Sequence, residues 1–232
     1  MTGCPFVARK FARLVRALLV ALTARAVPAQ SSTTDAPEHR TFWAVSAVLF
    51  GGALLLDERL QSVALVNQTP SLDRIAGAAD VLGTASHIVP ALAASYVLAR
   101  STGHPTVSDA LVRIALAYAA ADVVESVLKP IVGRERPDAG GHSLTFRPFT
   151  TTGSFHSFPS AHVVHIASLG TAVALEADRQ WVHWLAAGAI TFVGAQRVYR
   201  NEHWASDVVG SSVLGIVISR EAVIRLRDRR SH

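Results

Sequence analysis

The chain has 232 residues, of which half are hydrophobic and only 17% are charged, so it must bury apolar surface. This composition excludes a disordered or collagen-like protein and favours a membrane protein over a soluble one. The single cysteine, Cys4, excludes a disulfide framework. The net charge is +5, but the arginines do not form a basic face that contains aromatic residues, so nucleic acid is not the expected partner.

Residues 1–30 have the pattern of a signal peptide. Basic residues between positions 9 and 16 precede the short apolar run 17–24, and small residues then offer a cleavage site. An uncleaved amphipathic helix lying on the membrane fits the same segment equally well. Residues 31–41 are interpreted as a polar linker.

A helical domain is predicted for residues 42–220. It contains six apolar stretches that lack the alternation of half-buried strands and that lie near or below the usual span of ~20 residues. Polar residues interrupt several of them, which suits a bundle whose helices bury such groups against one another. The expected fold class is therefore all-α, a helical bundle with six transmembrane helices; a soluble helical bundle is the alternative. The stretches are 42–56, 81–99, 110–128, 161–175, 181–198 and 206–219.

The topology follows from the basic tail, residues 221–232. Basic residues beyond a membrane span mark a cytoplasmic end, so six spans would place the end of the third and the start of the fourth outside. The segment before the first span would then lie inside, whereas a cleaved signal peptide would place it outside. Either the leader is not cleaved or one stretch does not span.

Charged and polar residues gather in three clusters at the ends of the apolar stretches, all on the predicted outward side. The first closes the third stretch, the second opens the fourth, and the third joins the fifth to the sixth. Their chemically informative members are Lys129 and Arg136 in the first, Ser160, Ala161 and His162 in the second, and Arg197, His203 and Asp207 in the third.

These clusters predict a site for a tetrahedral oxyanion. Lys129, Arg136 and Arg197 would line one rim with cations; guanidinium groups bind phosphate oxygens in pairs and lysine acts as a point charge. Ser160 begins the fourth helix, where free backbone N–H groups point at an anion. With no acidic cluster at metal-ligand spacing, the cations are expected to stabilise the charge that a metal stabilises elsewhere, so no metal ligand is predicted.

Two histidines would divide the chemistry. His203 and Asp207 are four residues apart and share a helix face; the carboxylate would accept from one ring nitrogen and leave the other to attack phosphorus, giving a phosphohistidine. His162 would protonate the leaving oxygen and later activate water. His165 has no third ligand at hand to form a metal site and is interpreted as bundle packing.

Each signal alone has a plainer interpretation. Lys129 could pair with Glu125 one helical turn earlier. His162 could merely cap its helix, and His203 with Asp207 could be a structural pair. The prediction depends on their combination, order and spacing.

In that combination the clusters resemble the type 2 phosphatidic acid phosphatase family, part of the superfamily that includes bacterial acid phosphatases and vanadium haloperoxidases. Its signature is Lys, six residues and Arg-Pro; then Pro-Ser-Gly-His; then Ser-Arg, five residues, His, three residues and Asp. The matching residues here are Lys129, Arg136, Pro137, Pro159, Ser160, His162, Arg197, His203 and Asp207. Ala161 replaces the glycine, which is acceptable in helical backbone but not at positive φ, and Gln196 replaces the serine.

The resemblance implies a phosphatase that needs no metal or cofactor. Its partners would be membrane lipids and a lipid phosphate or diphosphate substrate of the phosphatidic acid, phosphatidylglycerol phosphate or undecaprenyl diphosphate type. The expected location is a bacterial inner membrane with an extracytoplasmic active site, or the periplasm or outer membrane if the leader is cleaved. A vanadate-dependent haloperoxidase and a non-catalytic protein that binds anionic lipid through its arginines are the alternatives.

Overall fold

A computed structural model describes residues 37–229, which form seven α-helices and two short 3-10 turns without a β-strand. The predicted all-α class is therefore confirmed for this part of the chain. The leader-like segment, residues 1–30, lies outside the described residues. The helices are α1 (Pro37–Val66), α2 (Pro70–Gly83), α3 (Ala85–Ser101), α4 (Pro105–Val132), α5 (Ala161–Ala177), α6 (Gln180–Tyr199) and α7 (Ala205–Asp228).

Both ends of the helical domain extend beyond the expected boundaries. α1 begins at Pro37 and takes up the last residues of the predicted linker, since proline fits the first position of a helix. α7 continues through Asp228, so most of the basic tail is helical. Arg227 in this extension contacts Glu176 of α5, which ties it to the bundle.

The predicted second stretch, 81–99, is not a single helix. α2 ends at Gly83 and α3 begins at Ala85, with a bend of 51° between them. Thr69 starts α2, because its side chain accepts from the N–H of Leu72. Thr84 lies at the bend with extended backbone and donates its hydroxyl to the carbonyl of residue 80, so the helix stops there.

α5 lies at the centre of the bundle and packs on α4, α6 and α7. Val163 and Ile166 of α5 form a buried cluster with Ile190 of α6, against which Ile216 of α7 also packs. Gly215 brings α7 close to α5, because a Cβ there would lie 2.8 Å from the backbone oxygen of residue 164. This packing fixes the first turns of α5 and α7, where the second and third sequence clusters lie.

Length and hydropathy support fewer membrane spans than expected. Among the described helices, α1 alone is long and apolar enough to cross a membrane, over His39–Val66, and α2 with α3 meets the same test only as a bent pair. α1 exposes Val48 and Leu55 at 73% and 87% of their surface, which suits contact with lipid. Six spans therefore remain a prediction for this bundle.

Candidate active site

The three clusters meet where α4 and α6 end and α5 and α7 begin. Trp204 Nε1 donates to the Glu135 carbonyl at 2.8 Å and so joins the third cluster to the first. His203 Nδ1 lies 2.6 Å from the carbonyl oxygen of Ser157, in the loop just before the second cluster. Residues brought from three distant segments therefore share one site.

Each cluster contributes a buried donor that has no hydrogen-bond partner among the described residues. These donors are Ser160 Oγ, Arg136 Nε and Arg197 Nε. Buried polar groups are normally satisfied, so an unpartnered donor in each of the three clusters requires an explanation. A tetrahedral oxyanion held between the two guanidinium groups and the start of α5 would satisfy them.

The start of α5 is suited to an anion in spite of the alanine. Its first intrahelical bond runs from the N–H of Val164 to the carbonyl of Ser160, so the earlier N–H groups of the first turn are free of helical bonds. Ala161 is the first residue of α5 and is not among the residues with positive φ. Alanine therefore fits the backbone here.

Two acidic residues that the sequence analysis did not single out contact the cationic rim. Arg197 Nη1 donates to Asp80 Oδ1 at 2.8 Å, and its Nη2 pairs with Glu202. Arg136 Nη1 lies 3.9 Å from the same Glu202 carboxylate. Gln196, the departure from the family's serine, also donates to Asp80, at 3.3 Å. An incoming anion would compete with these carboxylates for the arginines.

Lys129 pairs with Glu125 one turn earlier on α4, as its plainer interpretation proposed. Glu125 is buried, and the lysine side chain is only 19% exposed. The positive charge of Lys129 nevertheless acts on the imidazoles of both His162 and His203. The lysine thus lies near the site but is engaged by an acidic partner.

His203 is buried and carries its proton on Nδ1, because the Ser157 carbonyl opposite that nitrogen can only accept. Its Nε2 consequently keeps a lone pair. Burial, followed by the charges of Arg197 and Arg136, holds the pKa of His203 well below its usual range. The ring is therefore neutral at physiological pH, as a nucleophile requires.

Asp207 does not hold the His203 ring directly, which corrects the geometry inferred from their spacing. Its Oδ2 lies 3.9 Å from His203 Nδ1. The same oxygen accepts from the N–H of Trp204 at 3.0 Å and from Ser157 Oγ at 2.5 Å. A carboxylate in the first turn of α7 is drawn to the free N–H groups there, so it reaches the imidazole only through Ser157.

A buried arginine in the first cluster escaped the sequence analysis. Arg134, one of the six residues between the signature lysine and arginine, donates to Asp207 at 2.5 Å and to Asp57 of α1 at 2.8 Å. All three side chains are almost completely buried. Asp57 lies in an apolar helix, where a carboxylate is costly to bury alone. Its position in the sequence was therefore a signal that a positively charged partner such as Arg134 packs against it.

His162 lies in the first turn of α5, against the bend between α2 and α3. Its Nε2 is 3.2 Å from Thr84 Oγ1 and 3.4 Å from Asp80 Oδ1. Thr84 donates its own hydrogen to the Asp80 carbonyl, so its oxygen accepts from His162. This contact orients the Nε2–H; to act as a general acid, His162 must also be protonated on Nδ1, because a neutral imidazole does not give up its N–H.

The structure brings together a third potential metal ligand that the sequence did not indicate. Ligand atoms of Asp122, Glu125 and His165 lie within 4.8 Å of one another. His165 Nε2 lies 2.7 Å from Asp122, its Nδ1 lies 3.0 Å from the Gly83 carbonyl, and its ring packs on that of Tyr118. The expectation that His165 has no third ligand at hand was wrong, because α4 presents both carboxylates toward α5.

Comparisons with known proteins identify the family and the fold. A family model described as the PAP2 superfamily matches residues 110–231, which include all three clusters. Phosphatidylglycerophosphatase B of Bacillus subtilis (strain 168) is 27% identical over 174 residues, covering 70% of this chain and 79% of that protein. The crystal structure of a transmembrane PAP2 type phosphatidylglycerolphosphate phosphatase from Bacillus subtilis covers 82% of this chain and 95% of its own, at 23% identity and a TM-score of 0.60. That structural likeness concerns the fold.

Proposed function

Because this chain belongs to the PAP2 superfamily, we propose that it is a membrane phosphatase that hydrolyses a lipid phosphate or diphosphate without a metal, through a phosphohistidine. The chain is a hydrolase of the phosphatase class, like its relatives. The observation that carries the mechanism is the set of three unpartnered buried donors, one from each cluster, beside a neutral histidine with a free Nε2.

Phosphatidylglycerophosphate is the substrate to test first, since both relatives are named for its hydrolysis. Its terminal phosphomonoester would enter between the guanidinium groups of Arg136 and Arg197, displacing Asp80 and Glu202 from them. Ser160 Oγ and the first N–H groups of α5 would bind the remaining oxygen atoms. The positive charges of the lysine and the arginines would stabilise the negative charge that spreads over these oxygens in the transition state.

In the first step, His203 Nε2 attacks phosphorus, so that an N–P bond forms as the P–O bond to the lipid breaks. His162, in its imidazolium form, gives its Nε2 proton to the leaving oxygen, which departs as the lipid alcohol, and the ring is left neutral. The His203 ring keeps its Nδ1 proton and becomes positively charged. The Ser157 carbonyl, which accepts from that N–H, holds the ring in orientation.

In the second step, His162 has lost its proton and acts as the base. It takes a proton from water, whose oxygen attacks phosphorus on the face opposite His203. The N–P bond breaks, inorganic phosphate is released and both imidazoles return to their starting states.

The proposed location is the membrane, with the site on the outward side of a bacterial inner membrane. The exposed apolar faces of α1 support contact with lipid, and the basic end of α7 supports an inward C-terminus. A lipid tail between helices would leave its headgroup at the rim where the clusters meet.

The experiment compares wild type with His203→Ala in mixed micelles containing phosphatidylglycerophosphate. His183→Ala, on α6, is the matched control. Wild type and the control should release phosphate, and His203→Ala should be slower by about 10³-fold or more. Vanadate should inhibit and EDTA should not. Labelled substrate should leave a base-stable, acid-labile phosphoryl group on wild type and on the control, but not on His203→Ala. Equal turnover by His203→Ala would reject the nucleophile, and halide oxidation with vanadate and peroxide would favour the haloperoxidase alternative.

A further inference from the structure

A buried charged cluster lies behind the nucleophile and involves a helix outside the family-model match. Arg134 donates to Asp207 Oδ1 at 2.5 Å and to Asp57 Oδ2 at 2.8 Å. Asp57, on α1, also accepts from the N–H and the hydroxyl of Ser206. The model of the superfamily begins at residue 110, so Asp57 is not part of that match.

The cluster is connected to the nucleophilic ring. Asp207 Oδ2 accepts from Ser157 Oγ at 2.5 Å, and the Ser157 carbonyl accepts from His203 Nδ1 at 2.6 Å. The Asp207 carboxylate itself lies 3.9 Å from that nitrogen. At this separation, a charged Asp207 would interact with a charged imidazole by Coulomb attraction.

The cluster contains two carboxylates and one guanidinium group, so its formal charge is negative. Arg134 and Asp207 alone would be neutral. Buried ionic groups are weak evidence for stability, because their desolvation can exceed their attraction. A negative charge beside His203 has a use in the proposed reaction, because the ring becomes positive as its Nε2 bonds to phosphorus.

We propose that Asp57 is a positioning residue for catalysis: it takes up the charge of Arg134, so that the negative charge of Asp207 is left to stabilise the phosphorylated His203 ring. This inference rests on the proposed function. Asp57 acts through Arg134 and Asp207 and does not touch the phosphate.

The test uses three variants of the full chain. Asp57→Asn makes the cluster neutral. Asp57→Asn combined with Arg134→Gln removes both charges, leaves no unpaired guanidinium buried, and leaves the Asp207 carboxylate held by Ser157 Oγ and the N–H of Trp204. Asp178→Asn, at an exposed position directly after α5, is the matched control.

Phosphoenzyme formation should be about 10–100-fold slower in Asp57→Asn, with KM within about threefold of wild type because the residues lining the rim are unchanged. The double variant should recover to within about tenfold of wild type although it has fewer hydrogen bonds. A double variant slower than Asp57→Asn would overturn the proposal, since a structural role loses more with each contact removed. If Asp57→Asn does not fold, the double variant decides alone: a larger loss than tenfold overturns the proposal.

Histidine titration by ¹⁵N NMR gives a second readout that does not need turnover. Loss of negative charge in Asp57→Asn should lower the pKa of His203 further, whereas a loosened, wetter site would raise it. A raised pKa, or a wild-type ring without its proton on Nδ1, would overturn the inference. Absence of a phosphoenzyme in wild type would instead reject the proposed function.

Discussion

At the residue scale, the surroundings of His203 set its protonation state. Burial contributes most to its lowered pKa, and the charges of Arg197 and Arg136 lower it further, while the Ser157 carbonyl works in the opposite direction. The carbonyl nevertheless decides which nitrogen carries the proton. The surroundings of His203 thus produce a neutral ring that carries its proton on Nδ1.

This environment predicts how phosphoenzyme formation depends on pH. The reaction needs neutral His203, so on the acid side its rate should fall as the pH drops through the lowered pKa of that ring. Arg136→Gln removes one of the cations that lower this pKa, so its acid limb should move to higher pH.

The measurement is the pH profile of kcat/KM for wild type and Arg136→Gln on one substrate, because the ionisation of the phosphate is then common to both. Arg100→Gln, exposed at the end of α3, is the control and should follow wild type. An acid limb that stays in place or moves to lower pH would contradict the assignment.

Replacing Ala161 with the family's glycine should have a small effect on stability and little effect on catalysis. Its backbone is helical, so Ala161→Gly should gain no conformational relief and should destabilise the fold by about 0.5–1 kcal/mol. Phosphate release should stay within about threefold of wild type, because the N–H is the same in both residues. Thermal unfolding and steady-state kinetics check this; a tenfold gain in phosphate affinity would show that the position needs glycine.

At the element scale, the break between α2 and α3 positions His162, the proposed general acid. Thr84 at the bend contacts His162, and Gly83 packs against the same residue. A Cβ on Gly83 would lie 2.7 Å from the Cβ of His162 and 2.9 Å from its Cα. The bend is therefore part of the site even though α2 carries no residue of the signature.

Gly83→Ala should consequently displace His162 and lower kcat by about 10²-fold, since misplacing a catalytic group by about 1 Å costs that much. The matched control is Gly52→Ala on α1, where a Cβ would meet nothing within 4 Å. Steady-state kinetics of both purified variants check this. Wild-type kcat in Gly83→Ala would show that His162 tolerates the shift, or that it is not the acid.

At the scale of the whole molecule, the orientation of the bundle decides which side of the membrane the substrate must reach. The site lies at the C-terminal end of α4, close to the start of α5. The connection between α3 and α4 lies at the opposite, N-terminal end of α4. If α4 spans the membrane, these two loops face opposite sides. The basic end of α7 then predicts the site outside.

Single cysteines test this orientation in a Cys4→Ser background. Thr151→Cys lies in the exposed loop before α5, and Ser101→Cys lies at the exposed end of α3. In intact bacteria, a membrane-impermeant maleimide should label Thr151→Cys but should label Ser101→Cys only after permeabilisation. The reverse pattern would place the site inside, and labelling of both would contradict a spanning α4.

Local sequence patterns were sufficient for the helical class and for the family. Apolar stretches without strand alternation predict helices, and the three signature clusters keep their chemistry within short spacings, so the resemblance could be seen and is confirmed by the family match. The same patterns could not locate the bend at Thr84. This threonine lies within an apolar run that is continuous in sequence, so nothing in the hydropathy pattern marks the end of one helix and the start of the next.

The tertiary structure alone decided which groups surround the signature residues. Asp57 meets Arg134 across 77 positions of chain, and Asp80 meets Arg197 across 117. Spacing suggested that Asp207 would hold His203, but the free N–H groups at the start of α7 and the guanidinium of Arg134 compete for that carboxylate. The sequence predicted the candidate reacting groups, because the family signature places them at fixed local intervals. Their partners depend on how helices pack, since a buried charge pairs with whatever opposite charge the fold brings to it.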